Sequence, residues 1–397
     1  MNAINDRLHH RLAKIEAEGR LRSLTATSPV DGGRVYATDA GIEAVNLSGN
    51  DYLGLAGKRT FIAEFYEKIR RENCLEDYSL GSGGSRLMTG NSQTYTLLEQ
   101  DLVEMYGTEA ALVFNSGYHL NIGLLPTLAE KNDLILADKL CHASLLDGMR
   151  LSRAEVIRYR HNDYQQLEEL LVAKRSHYDQ VFLVTESVFS MDGDLADLPR
   201  LVALKQKFDA CLLVDEAHGV GILGERGLGL CEERDLVGEI DLLIGTFGKA
   251  WGGQGAFVLC TELMMRYFVN TVRSFIFTTG LPPVNLQWLR HVAAHIPLLK
   301  EERRKVRKLR IELGEALLAN GLNIGGDSHI LPIFIGESGK AWRVAQELRK
   351  HGYWVTGVRP PTVPEGTARL RLSLNAGLNP RDLEPLPDLL ADLLKSS

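Results

Sequence analysis

Cysteine is sparse in this chain of 397 residues: Cys74, Cys141, Cys211, Cys231 and Cys260 are odd in number, scattered, and never spaced C-x-x-C. That excludes a disulfide framework and a cysteine-based zinc site. It suits a reducing, cytoplasmic setting in which each thiol acts as a small buried hydrophobe. A basic surplus is also missing. Lys and Arg number 45 against 51 Asp and Glu, a net charge of −6, so a nucleic-acid partner is not expected. No run of roughly 18 uncharged apolar residues occurs, which argues against a membrane-spanning helix. Residues 1–19 mix acids and bases around no apolar segment, so neither a secretory signal nor a transit peptide is expected there. Internal repeats and low-complexity segments are absent as well.

What is present is apolar material for a large core, 45% of residues, with 24% charged. That amount supports one major domain with smaller satellites. Residues 5–19 read as an amphipathic helix with Leu8, Leu12 and Ile15 on one face. Val35–Ala37 and Ala44–Leu47 bracket Asp39-Ala40-Gly41 and read as a hairpin, followed by an irregular link, Ser48–Leu55. From about residue 94, helical patterns alternate with seven short apolar strands: 110–114, 134–137, 155–159, 181–185, 211–214, 242–244 and 256–259. This rhythm predicts an α/β domain with a seven-stranded, mainly parallel sheet covered by helices on both faces. Beyond Pro282-Pro283, strands at 330–335, 353–356 and 369–374 with helices at 340–351 and 381–394 predict a smaller α+β domain. The expected division is therefore 1–47, 48–285 and 286–397. The charged run Lys300–Lys305 is expected to be a solvated helix face with i,i+4 pairs.

Chemistry concentrates at strand ends. The 242–244 strand stops at Gly245-Thr246-Phe247-Gly248-Lys249-Ala250-Trp251-Gly252-Gly253. Glycines let the backbone pass close to a bulky group, and a partly desolvated lysine becomes a usable nucleophile or Schiff-base former. Leu212-Leu213-Val214-Asp215-Glu216-Ala217-His218 matches a helicase Asp-Glu-Ala-His box, but that reading needs a phosphate loop. Lys58, Lys249 and Lys340 each follow a glycine, yet none precedes Ser or Thr at the required spacing. In the alternative reading Asp215 salt-bridges the ring nitrogen of a cationic heterocycle, and His218 bonds an oxygen on the same ring. One helix-length segment and one strand separate Asp215 from Lys249, so both fall on one sheet edge. Together they are the two groups that pyridoxal phosphate needs.

Three weaker signals accompany this pair. His142, just past a strand end, could stack on a planar cofactor. Phe114-Asn115-Ser116-Gly117-Tyr118 opens a helix and offers free N–H groups to an anion; with Thr246, Thr278 and Thr279 it could hold one phosphate. Arg359, in a loop stiffened by Pro360, Pro361 and Pro364, presents a guanidinium fork suited to a carboxylate. Gly81–Arg86 mimics a dinucleotide fingerprint but follows no apolar strand, so it is expected to be a flexible glycine segment near the site.

Taken together, Ser48–Leu55, Gly81–Arg86, His142–Ser144, Glu186–Asp194, Asp215–His218 and Thr246–Lys249 resemble the α-oxoamine synthases. These are pyridoxal-phosphate enzymes of the type I, aspartate-aminotransferase-like fold, and the resemblance runs from about residue 20 to the C-terminus. It implies that Lys249 forms the Schiff base, Asp215 pairs with the ring nitrogen and His218 bonds the ring oxygen. It also implies that His142 stacks on the ring with Ser190 beside it. Gly117, Tyr118 and Thr246 would hold the phosphate, with Thr278 and Thr279 supplied by a second subunit of a homodimer. Arg359 would take the amino-acid carboxylate, while Arg22, Asn50 and Thr362 face substrate. The loop Arg359–Pro364 with Gly366–Arg371 resembles the branch that joins L-alanine to a pimeloyl thioester, on acyl carrier protein or CoA. That branch yields 8-amino-7-oxononanoate in biotin synthesis. Sister branches use glycine or serine with other acyl thioesters. His119-Leu120 and Trp251–Gln254 depart from the family's smaller residues, and both are expected to reshape the acyl channel.

Overall fold

A computed structural model describes residues 3–18 and 20–396. Contacts divide the chain into two compact units: 51–190 with 194–304, and 1–50 with 191–193 and 305–397.

In the larger unit all seven expected strands form and pair into one sheet. Its order is Ala110–Phe114, Ala256–Cys260, Leu242–Thr246, Cys211–Asp215, Val181–Glu186, Leu134–Asp138, Glu155–Tyr159. Five run parallel; Ala256–Cys260 pairs antiparallel with both of its neighbours. The interior strands are buried along their whole length, which is why they read as unbroken apolar runs rather than alternating ones. Four of the parallel strands extend past the expected ends, through Asp138, Glu186, Asp215 and Thr246. Backbone pairing continues under the polar side chains, as in Glu186 with Asp215 and Asp215 with Ile244. Because these strands are parallel, their polar last residues line one edge of the sheet. That edge is where open α/β folds receive ligands.

Several local expectations change. The Gly81–Arg86 segment is pinned rather than loose. Arg86 forms a fork on the Glu99 carboxylate, donates to the Val113 carbonyl, and lies 3.9 Å over the Tyr95 ring. The run Lys300–Lys305 is not uniformly solvated: Arg303 is buried and donates to the carbonyls of Ile296 and Glu225. Cys74 is exposed, whereas Cys141, Cys231 and Cys260 are buried.

In the smaller unit, Arg34–Ala37 and Ile42–Asn46 form the expected hairpin, extended by Thr27–Val30 on one side. Tyr353–Trp354 joins the other side in parallel. A second sheet runs Ile330–Gly336, Ala368–Ser373, Thr356–Val358. The single strand expected at 353–356 is therefore two, shared between sheets and broken at Val355. Leucines and valines from the 300–319 helix and both sheets, among them Leu309, Leu313, Leu331 and Leu370, fill the core. The segment 191–193 belongs here because Asp192 pairs with Arg369 and the Gly193 carbonyl accepts from Asp327 and Ser328. The helix Ala3–Ala17 forms, but Leu8, Leu12 and Ile15 stay exposed along it. Among the described residues no helix is long and apolar enough to cross a membrane.

Candidate active site

Lys249 sits in the turn that follows the Leu242–Thr246 strand. The turn is closed by Gly252 N–H to the Lys249 carbonyl (2.9 Å) and Gly253 N–H to the Phe247 carbonyl (2.9 Å). Gly252 has φ +59°, and a Cβ there would lie 2.9 Å from the Ala56 nitrogen, so the turn demands glycine. The Thr246 hydroxyl braces the same turn, donating to the Gly255 carbonyl and accepting from Gly248 N–H. Thr246 thus braces the turn that carries Lys249. Trp251 is fully buried against Phe247 and Phe257, so it fills core instead of shaping a channel.

The Lys249 ammonium lies 2.8 Å from His218 Nε2, and His218 Nδ1 lies 2.6 Å from the Tyr52 hydroxyl. In a neutral imidazole one nitrogen donates and the other accepts, so a proton placed at the Tyr52 end sets the state of the Lys249 end. Asp215, last residue of its strand, accepts from Ala217 N–H (2.9 Å) and from Asn121 Nδ2 (3.0 Å). Asn121 Nδ2 also donates to the Ser144 hydroxyl (3.0 Å), which stands 2.7 Å from His142 Nδ1. Ser144 N–H also points at that nitrogen, so Nδ1 is the acceptor and the His142 proton lies on Nε2. His142 is exposed at its surface. Even so, the protein packed around its ring lowers its pKa; the Asp215 charge opposes this and the Lys249 charge adds to it.

Adjacent acids in Asp215-Glu216 have opposite fates, as strand alternation requires. Glu216 turns inward, accepting from the Ser187 hydroxyl (2.5 Å) and Cys231 N–H (2.6 Å), and burial raises its pKa. It is part of the fold, and the helicase likeness of the box is only in the letters. Glu186, one strand over, is buried and accepts from His142 N–H (2.5 Å). Burial, followed by the Asp215 charge, raises its pKa well above its ordinary value, which favours the protonated form.

The helix Gly117–Leu128 starts beside this cluster in sequence order. Ser116 caps it by accepting from His119 N–H, leaving the N–H groups of Gly117 and Tyr118 without intrahelical acceptors. A Cβ at Gly117 would meet nothing within 4 Å, so space is open there. Thr278 and Thr279 lie against Asn115, whose amide donates to the Thr278 hydroxyl and the Thr279 carbonyl. Ser190 occupies the turn after the Val181–Glu186 strand. His119 is held by Ser116, and Leu120 is buried.

The remaining expected residues belong to the smaller unit. Arg22 donates to the Thr362 hydroxyl (3.2 Å), and the Arg359 pKa is lowered by burial and then by the Arg22 charge. Two like charges held close are a site for an anion. With Arg349, Trp342 and Trp354 they line a cavity of about 530 Å³. Asn50 accepts from both terminal nitrogens of Arg371 at 3.4 Å. Tyr52, Asn121 and Glu186 escaped the sequence reading; the only hint was that Tyr52 and Glu186 fall inside family-like segments.

A lysine, an acid on the same sheet edge, and a helix start that gathers free N–H groups suit an aldehyde, a ring nitrogen and a phosphate respectively, so the residues fit pyridoxal phosphate. Residues 42–389 match the aminotransferase class I and II family. An 8-amino-7-oxononanoate synthase from Chlorobaculum parvum is 46% identical over 390 residues, covering 98% of this chain and 99% of that protein. One from Haemophilus ducreyi is 46% identical over 86% of this chain and 89% of its own. Among solved structures, a serine palmitoyltransferase variant from S. paucimobilis with bound PLP–myriocin aldimine superposes with a TM-score of 0.90 at 29% identity. It covers 100% of this chain and 99% of its own. An 8-amino-7-oxononanoate synthase from Francisella tularensis gives 0.75 at 26% identity, over 89% and 98%. The chain therefore belongs to the aminotransferase class I and II family, with the type I fold, and within it to the α-oxoamine synthases, acyltransferases whose cofactor is pyridoxal phosphate.

Proposed function

We propose that this protein joins L-alanine to a pimeloyl thioester, on acyl carrier protein or CoA, giving 8-amino-7-oxononanoate, CO₂ and free thiol. This would be the carbon–carbon bond-forming step toward biotin, carried out in the cytoplasm by a homodimer. The observation that carries the reading is 46% identity to an 8-amino-7-oxononanoate synthase across nearly the whole length of both chains.

When bound, pyridoxal phosphate supplies an electron sink that lets an amino acid lose its Cα proton. Lys249 would hold the aldehyde until the amino acid takes its place, and the amine so released would take that proton, with His218 at 2.8 Å to share it. Ala217 N–H and Asn121 orient the Asp215 carboxylate that would meet the ring nitrogen. His142 and Ser190 would flank the ring, and Gly117, Tyr118 and Thr246 would hold the phosphate, joined by Thr278 and Thr279 of the second subunit. Arg359 takes the alanine carboxylate, with Arg22, Asn50 and Thr362 on the substrate side. The deprotonated carbon attacks the thioester carbonyl and expels the thiol; the carboxylate departs as CO₂, and a proton returns to carbon.

A second reading, glycine or serine with another acyl-CoA, draws support from the TM-score of 0.90 to a serine palmitoyltransferase. Incubating the purified enzyme with each amino acid and each thioester, and weighing the products by mass spectrometry, separates the two. The alanine reading predicts 8-amino-7-oxononanoate from alanine and pimeloyl-CoA or the carrier-protein thioester. Product formed only from serine or glycine with a different acyl chain overturns it.

A further inference from the structure

Away from the Lys249 edge, two helices of the larger unit bring a carboxylate and two imidazoles together. Arg59–Tyr66 carries Glu64, and Pro283–His295 carries His291 and His295, one turn apart on the same face. One donor atom from each of the three lies within 4.8 Å of the others, and among the described residues no other such group of three exists.

The imidazoles are already oriented. His295 Nδ1 donates to the His291 carbonyl at 2.7 Å, which puts the lone pair on Nε2, and Nε2 faces Glu64 Oε1 at 3.7 Å. A backbone bond that fixes the tautomer in this way is the arrangement found behind metal-bound histidines. His291 Nδ1 accepts from the Lys68 ammonium at 2.6 Å, so its lone pair also points toward the cluster, while its Nε2 is buried with no hydrogen-bond partner. Phe61 packs 4.5 Å from the His291 ring and edge-on at 5.1 Å to His295, limiting their rotation. The Lys68 ammonium, 3.9 Å from Glu64 Oε1, shows that a positive charge is accommodated here. Glu64, Lys68 and His295 are open enough to solvent for exchange, and Lys68 is free to swing outward.

We propose that Glu64, His291 and His295 form a site for a divalent first-row transition metal of the zinc class, and that Lys68 holds the position as a cation the metal displaces. Two nitrogens and one carboxylate oxygen suit Zn²⁺, Co²⁺ or Ni²⁺ and leave a fourth position for water; Mg²⁺ and Ca²⁺ prefer all-oxygen sets. The bound ion clasps the two helices together at a place remote in function from the lysine that works on substrate.

The test is calorimetric titration of the full-length, cofactor-loaded protein with Zn²⁺, and with Co²⁺ followed by its visible d–d absorption. One ion per chain is expected. Glu64→Gln, at an exposed position, and His295→Gln, at a half-buried one, with folding checked by circular dichroism, should each weaken that site by about 10- to 100-fold. Lys68→Met should tighten it, because the competing cation is gone; a merely adventitious surface histidine would not respond in that direction. The proposal fails if no site binds at micromolar Zn²⁺. It also fails if affinity is unchanged in both Glu64→Gln and His295→Gln, which would put the metal on the cofactor or other histidines, or if Lys68→Met weakens binding.

Discussion

Within the larger unit a lysine ammonium lies against a histidine ring twice, and the two settings have little else in common. Lys249 meets His218 at 2.8 Å in a turn closed by glycine, on a sheet edge lined by the ends of parallel strands. Lys68 meets His291 at 2.6 Å between two helices, 223 residues apart in sequence, with Glu64 nearby. In the first pair the histidine continues to Tyr52, a row through which protons can move. In the second, the histidine's far nitrogen is buried without a partner, and the lysine does no more than occupy a cation position. A close Lys–His contact by itself thus says little about function. What surrounds it decides whether the lysine handles protons or keeps a place for another ion.

The comparison is broken most severely at Lys249. Lys249→Ala should lower turnover of alanine and pimeloyl thioester by about 10⁴-fold or more and abolish the visible Schiff-base absorbance of the purified protein. Retained absorbance in that variant would falsify the role given to this lysine. Asp215→Asn comes next. The fold should persist, since the amide oxygen can still accept from Ala217 N–H, but loss of the charge at the ring nitrogen and of the acceptor for Asn121 should cost about 10²- to 10³-fold in kcat. A KM-only effect would place Asp215 in substrate binding instead.

A third histidine sharpens the contrast by having no lysine at all. His161 lies between Asp138 (Nδ1, 2.9 Å) and Asp194 (Nε2, 2.5 Å), with Asn162 donating to Asp194 as well. Burial works against its charge, but the bonds to the two carboxylates prevail and raise its pKa from 6.5 to about 10. A histidine that holds its proton more tightly when folded adds stability that is complete below pH 6.5 and is lost as pH rises through about 10. His161→Gln should therefore destabilise the protein by about 2–3 kcal/mol at pH 7 and flatten the decline in melting temperature between pH 7 and 10. An unchanged alkaline slope would show that the ring is neutral in the folded chain.

These settings also differ in how visible they are in the sequence. Asp215, His218 and Lys249 could be read because apolar runs mark parallel strands, and parallel strands bring their ends to one edge. The same rule stopped four strands short of Asp138, Glu186, Asp215 and Thr246, since side-chain polarity does not interrupt backbone pairing. Arg303 was misjudged for a related reason: charge suggests solvent until a carbonyl many residues away is seen to meet it. Tyr52, Asn121 and Glu64 act on partners from distant elements, and no local pattern announces such meetings. His291 and His295 display their i,i+4 spacing openly, yet the third donor comes from the other end of the larger unit.

The smallest expected effect isolates the acid beside the site. Glu186 is buried, accepts from His142 N–H, and has its pKa raised well above its ordinary value by burial and then by the Asp215 charge, which favours the neutral acid. Glu186→Gln replaces that acid by a neutral group of the same shape that can still accept from His142. Stability at pH 7 should then change by less than about 1 kcal/mol, because no buried charge is lost and no backbone donor is stranded. If Glu186 were instead anionic, the same variant would delete a charge next to Asp215 and Lys249 and shift the pH profile of kcat. Glu186→Ala marks the contrast, leaving His142 N–H buried without an acceptor at a cost of about 1–3 kcal/mol. Chemical denaturation of the two variants side by side reads the difference. A Gln variant as damaged as the Ala variant would mean that the proton on Glu186, donated to a neighbour, is what holds His142 in place.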